Sequence, residues 1–310
     1  MPSLFSKLTD LDFLNRVKPI TLQRYGAALQ PFTSWAMEEG LDPISAEDWD
    51  DALLDYRGLH VATMTKSKFI TLVASLEFYL PQVKGKLCWS HTFISGWSRR
   101  TKIRHTVPVT KRTATLLAVH MAVRGAPRMG LGIMLQVRTG LRPGELLKLM
   151  PEHILFPEDQ GDWSQTTPVV IVLGAKGGTK SQRAQVALLH RGEPEFWSLL
   201  KTCRDATPPG HYLIPYTMAT YRMELRNLEK ILKVSIGWTP HSPRAGFATD
   251  QKLAGVSFEQ IQEAGRWASQ SSLRIYLDVV GATNGLRAIR LGGLSSQLEA
   301  ANRLWPLYFR

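Results

Sequence analysis

Cysteine is nearly absent from this chain: there are two in 310 residues, Cys88 and Cys203. They are too few and too far apart for a metal-ligand spacing or a disulfide framework. Two free, buried thiols in a reduced, intracellular compartment are therefore expected. No apolar run approaches the length that spans a bilayer. The opening MPSLFSKLTDLDFL has early acids and no apolar stretch of the signal-peptide kind, which argues against secretion. Internal repeats and low-complexity segments are also lacking. Acid is missing from one long stretch: no Asp or Glu occurs between Glu77 and Glu145, while twelve Lys and Arg occur from Lys84 to Arg142.

What is present is basic. The chain has 38 Lys and Arg against 26 Asp and Glu, a net +12. Residues 1–105 hold 13 basic and 11 acidic residues, so +10 of that charge lies in residues 106–310. A generic solvated surface accounts for a mild basic excess. An acid-free stretch of this length fits a surface that follows phosphates, where each contact releases counterions. With 44% apolar and 21% charged residues, the composition is that of a globular protein, and the length allows two domains with real cores.

Periodicity predicts a mainly α protein with a small β-sheet or hairpin. In the first hundred residues, ITLQRYGAALQPFTSWAMEEG has helical spacing with Gly40 as its stop. SAEDWDDALLDY follows, with Ser45 and Asp48 in a capping-box arrangement. TMTKSKFITLVASLEFYL is a third helix, ended by Pro81, and WSHTFISGWSRRTKIRH a fourth. The basic, Pro-interrupted stretch RRTKIRHTVPVTK (residues 99–111) marks a boundary between domains 1–105 and 106–310. Beyond it KRTATLLAVHMAV and RMGLGIMLQVR read as helices, with Gly140 past the end of the second and Pro143 opening the next. TPVVIVLG and AQVALL read as strands flanking the loop GAKGGTKSQR. EPEFWSLLKTC, ATYRMELRNLEKILK, PRAGFATDQKLAG, SFEQIQEAG and SSLRIYLDVV read as further helices. Residues 277–310 form a tail ending in LWPLYFR.

Five residues share a chemical logic. They are Arg142 in RTGLRPGELLKL, His241 and Arg244 in HSPRAGFAT, Trp267 in AGRWAS and Tyr276 in LRIYLDV. Two guanidiniums, an imidazole and an indole N–H can bind a tetrahedral phosphate and its developing charge. A tyrosine can attack that phosphate and hold it as a covalent ester. Arg142 follows a tight turn into a helix start, which suits anion binding. Glu145 lies on the same helical face, where orienting Arg142 or His241 is its expected role. His241 and Arg244 are three apart and would point the same way from one helix. His241 titrates near neutrality and can exchange a proton. Trp267 can donate a hydrogen bond but cannot act as a base. Taken singly, each motif is weak, and an exposed Arg or a core Trp or Tyr is the ordinary reading.

Together, T-G-L-R-P-G-E-L at 139–146, H-S-P-R at 241–244, G-R-W at 265–267 and Tyr276 resemble the tyrosine recombinases, also called phage-type integrases. The spacings of 23 residues from Arg244 to Trp267 and nine from Trp267 to Tyr276 resemble those of Cre-type members, which also carry tryptophan where histidine is commoner. The resemblance implies a two-domain, C-shaped clamp on double-stranded DNA. Its first domain would be a helical, SAM-like DNA-binding bundle. Its second would cleave and rejoin DNA through a 3′-phosphotyrosyl intermediate, with Arg142, His241, Arg244, Trp267 and Tyr276 as catalytic residues. The family's general acid is a hairpin lysine, here Lys180 in preference to Lys176, with Lys176 the alternative acid or a DNA contact. Arg99, Arg100, Lys102, Arg104, Lys111 and Arg112 are the expected backbone contacts. The resemblance further implies a homotetramer at synapsis with the tail docked on a neighbouring protomer or on its own domain. No cofactor, metal, membrane or small-molecule substrate is implied. The location would be cytoplasmic for a prokaryotic or phage protein and nuclear for a eukaryotic one. Monomeric DNA relaxation of the type IB topoisomerase kind, and a decayed mobile-element protein that only binds DNA, are the alternatives.

Overall fold

The computed structural model describes residues 11–100, 106–161, 167–174, 185–190, 192–274, 276–277 and 279–309. Its contacts divide into two compact units, Met1–Ile103 and Arg104–Arg310. The first unit contains helices α1 (Leu11–Leu14), α2 (Pro19–Glu38), α3 (Ala46–Leu59), α4 (Lys66–Tyr79) and α5 (Cys88–Arg100). Side-chain caps fix several starts. Ser45 and Asp48 form the reciprocal capping box before α3, and Thr65 accepts from the Lys68 N–H before α4. The start of α5 is capped from a distance. The buried Asp50 carboxylate of α3 accepts from the backbone N–H groups of Trp89 at 2.7 Å and Ser90 at 2.9 Å. Phe32, Leu53, Phe69, Leu72 and Leu87 form the core of this unit.

The second unit is built on the antiparallel pair α6 (Lys111–Val123) and α7 (Pro127–Thr139), whose middles are buried. Gly140 ends α7 in the left-handed region at φ 62°, which a residue without Cβ adopts freely. The one-turn helix α8 (Pro143–Leu146) starts at the expected proline. A three-stranded antiparallel sheet follows in the order β1 (Ile154–Leu155), β2 (Val169–Leu173), β3 (Gln185–Leu189). The two longer strands pair from Val169 opposite Leu189 to Leu173 opposite Gln185. Helices α9 (Pro194–Asp205), α10 (Met218–Ile231), α11 (Ser242–Leu253), α12 (Phe258–Gly265), α13 (Gln270–Arg274), α14 (Val279–Leu291) and α15 (Ser295–Leu304) complete the unit. The chain is thus mainly helical with a small sheet, as its periodicity predicts. Among the described residues, no helix is long and apolar enough to cross a membrane.

Two expectations change, and one open alternative takes a definite form. SSLRIYLDVV is not one helix: α13 stops at Arg274, and Tyr276 lies in a turn whose N–H bonds back to Leu273 O at 2.8 Å. Tyr276 and Leu277 pack there against the cluster of Phe247, Trp267 and Leu273, a tertiary gain that overrides local helix propensity. The cysteines are free but not buried, since Cys88 is exposed and Cys203 only half-buried. The tail packs on its own unit. Leu298, Ala301 and Trp305 are buried in the core that includes α6 and α9. Asn302 Nδ2 donates to Arg112 O at 3.0 Å, and Glu299 pairs with the Arg112 guanidinium.

The approach of α11 to the segment entering α6 positions the site. Val109 N–H donates to Ser242 O at 2.9 Å, and a Cβ on Gly246 would overlap the Val109 carbonyl oxygen. Gly246→Ala should therefore destabilise the second unit by about 1–3 kcal/mol through overpacking. Urea unfolding checks this, and an unchanged midpoint would show that the segment is not held against α11.

Candidate active site

Arg142 sits at the N-terminal cap of α8, and the structure shows why Glu145 is needed beside it. One Glu145 oxygen accepts from the Arg142 backbone N–H at 2.7 Å, the other from its guanidinium at 2.6 Å. Arg142 also donates to the Arg266 carbonyl at 2.9 Å. Arg266 in turn donates to Glu145 at 2.9 Å, and both of these side chains are 7% exposed. Sequence reasoning gave Arg266 no role. Its backbone is left-handed at φ 58°, a conformation that costs a non-glycine residue energy and that here turns its side chain onto Glu145. The only sequence signal was its place within G-R-W.

Arg244 is 1% exposed and has no carboxylate partner among the described residues. Its guanidinium donates to the carbonyls of Gly140 and Gly265 and lies 4.0 Å from the centre of the Trp267 ring, a cation–π contact. The same guanidinium is 5.9 Å from the Tyr276 ring centre. Tyr276 lies 5.6 Å from Trp267 and 6.3 Å from His241, centre to centre. The Trp267 indole N–H is buried without a hydrogen-bond partner. His241 caps α11 rather than lying within it, and stays accessible while Arg244 is buried. Arg142, Glu145, His241, Arg244, Trp267 and Tyr276 thus meet within the second unit.

The electrostatics favour an anion. Burial first, then repulsion from Arg142 and Arg266, pulls Arg244 down to about 9, so it remains a cation at neutral pH. Burial raises Glu145, but Arg266 and the hydrogen bonds and charge of Arg142 outweigh it and leave this carboxyl below its usual range. Crowding of the His241 ring, then the charges of Arg244, Arg142 and Arg222, lowers its pKa and favours the neutral imidazole. Arg222, on the exposed side of α10, is a second residue that the motifs did not reveal. One carboxylate among these guanidiniums leaves a net positive pocket suited to a phosphate. Among the described residues, no cluster of His, Cys, Asp and Glu could hold a metal ion.

The other expected residues fall elsewhere. Lys176, Lys180, Lys102 and Arg104 lie outside the described residues. Arg99 and Arg100 are exposed in the last turn of α5. Lys111 pairs with Glu193, which also holds Arg138, and Arg112 pairs with Glu299. Lys111 and Arg112 are about half exposed, and each also meets a carboxylate of the chain itself.

No protein-family model and no curated protein matches the sequence. Solved structures do resemble this one. The XerH site-specific recombinase bound to a palindromic difH substrate, a post-cleavage complex, is 17% identical over 92% of this chain and 80% of that one, with a TM-score of 0.58. The Tn1549 transposon integrase in complex with transposon right end DNA is 15% identical over 92% and 98%, also at 0.58. A lambda integrase dimer bound to a COC′ core site is 16% identical over 90% and 78%, at 0.55. At these identities the likeness is one of fold: this chain has the fold of those recombinase and integrase chains.

Two measurements check the electrostatics. Because the folded pKa of Glu145 is depressed, its contribution is complete above the ordinary carboxylate value near ~4.3 and is lost as pH falls through the folded value. Glu145→Gln should cost about 3 kcal/mol at neutral pH by leaving Arg266 uncompensated, with the gap to wild type narrowing below the ordinary value. A gap that is constant into strong acid contradicts the pairing. By NMR, the His241 ring of DNA-free protein should titrate below the ordinary ~6.5, and Arg142→Ala should raise the midpoint. A midpoint at or above the ordinary value contradicts the cationic pocket.

Proposed function

We propose that the chain is a tyrosine recombinase that cleaves and rejoins duplex DNA at specific sites. The observation that carries this reading is the convergence of Arg142, buried Arg244, the unpartnered Trp267 indole and Tyr276 in one positively charged cluster. Its fold neighbours, solved with DNA, support the same substrate class. Arg142, partly open to solvent, and Arg244 clamp the non-bridging oxygens of the scissile phosphate, and the Trp267 N–H adds a neutral donor. The Tyr276 hydroxyl oxygen attacks phosphorus and its proton passes to His241, which is neutral before DNA binds. The bond from phosphorus to the 5′-oxygen breaks, leaving a 3′-phosphotyrosyl ester. The departing 5′-oxygen takes a proton from a lysine, Lys180 or Lys176 in this reading. A 5′-hydroxyl from the partner duplex reverses each step, so the ester conserves the bond energy and no nucleotide is consumed. A homotetramer at synapsis belongs to this reading, because exchange of two duplexes requires four cleavages.

Purified protein should form an SDS-resistant adduct with nicked duplex fragments taken from the DNA flanking its coding sequence. Tyr276→Phe should abolish the adduct while leaving DNA affinity nearly unchanged. Arg142→Ala should slow adduct formation by roughly two to three orders of magnitude, the usual loss for one charged transition-state contact. An adduct that survives Tyr276→Phe, or no adduct despite salt-sensitive DNA binding, overturns the proposal.

A further inference from the structure

One buried polar group has no part in the chemistry above. Gln136 lies on α7 at 0% exposure, so its amide must find its partners inside the protein. Its Nε2 donates to the carbonyl of Leu141 at 3.0 Å and to that of Pro240 at 3.0 Å. Its Oε1 accepts from the Tyr221 hydroxyl at 2.9 Å. Tyr221 is also buried, on α10, and burial keeps its hydroxyl protonated as a donor. Leu141 immediately precedes Arg142, and Pro240 immediately precedes His241. A single flat amide thus holds the peptide groups ahead of two site residues that are far apart in sequence.

The geometry points to Gln136, braced by Tyr221, as a positioning residue that sets the separation of Arg142 and His241 across the bound phosphate. This rests on the reading of those two residues as parts of a phosphoryl-transfer site. The residue type is demanding. Two carbonyls need two N–H donors on one group, and the Tyr221 hydroxyl needs an acceptor on the same group. Glutamine supplies all three. An ionised glutamate offers only acceptors, and methionine, of similar length, offers neither donor. The backbone around Arg142 is also pinned through Glu145, but that link reaches Arg266 and not the His241 segment. Arg244 also reaches the Gly140 carbonyl from α11, so losing the Gln136 amide would loosen the spacing between the two loops rather than abolish their link, while leaving each loop locally intact. A misplacement of about 1 Å at a reacting centre can cost on the order of a hundredfold in rate.

The test uses the full chain in wild type, Gln136→Met, Gln136→Glu and Tyr221→Phe. Three quantities are read: single-turnover adduct formation on the nicked duplexes, DNA affinity, and amide hydrogen exchange of DNA-free protein over residues 139–146 and 239–245. Gln136→Met should slow adduct formation about ten- to a hundredfold, leave DNA affinity within a few-fold and speed exchange in both segments together. Gln136→Glu should recover toward wild type as pH falls, because only the protonated acid regains a donor. Tyr221→Phe, which keeps the volume, should show a smaller loss in the same direction, and it decides the matter if Gln136→Met fails to fold. A wild-type rate in Gln136→Met or Tyr221→Phe overturns the brace. So does faster exchange confined to one segment, or a Gln136→Glu deficit independent of pH. If wild type itself forms no adduct, the recombinase reading fails, and the exchange measurements still decide whether Gln136 couples the two loops.

Discussion

A guanidinium removed from water has to be stabilised by what surrounds it, and Arg244 meets that requirement without a carboxylate. Two glycine carbonyls accept its N–H groups and the Trp267 ring covers its face. The carbonyls come from the turn after α7 and from the end of α12, so stabilising this one cation draws together the segments carrying Arg142 and Trp267. Carbonyl dipoles leave the full charge uncompensated, whereas a carboxylate would cancel it. The second unit therefore holds a preorganised positive charge, which is the property that phosphoryl chemistry draws on.

Glu145 is the counterweight. Without it Arg142, Arg244 and Arg266 would repel one another at close range, and that repulsion adds to burial in depressing the pKa of Arg244. Glu145 binds Arg142 and Arg266 and leaves Arg244 with carbonyls alone. The division has a functional sense in the proposed reaction: Arg142 is oriented by a carboxylate yet partly open, while Arg244 stays undiluted. The same charges favour a neutral His241, which suits a group that must accept a proton from the attacking phenol.

The helices and the hairpin strands were legible because their signals are local: the capping box at Ser45, Gly140 past a helix end, Pro143 at a helix start and Val-rich strands around a glycine loop. The site motifs were legible because residue type and order constrain each other across the chain. What escaped depends on distant partners. Arg266 looks like an ordinary turn residue until Glu145 is seen beside it, and Gln136 looks like one polar residue in an apolar helix. Lys111 and Arg112 look unpaired until Glu193 and Glu299, far away in sequence, are seen beside them. Tyr276 carries no glycine or proline to announce its turn, and the two-residue β1 is too short for any pattern to show.

The central claim, that this pocket holds a phosphate while Tyr276 attacks it, is tested most directly on the trapped complex. The adduct would be digested with protease and nuclease, and the nucleotide-bearing peptide identified by mass spectrometry. A phosphodeoxynucleotide on the tyrosine of the peptide containing residues 275–287, linked through its 3′-phosphate, is the expected result. A 5′-phosphate linkage, or a nucleotide on any other residue, would contradict the account.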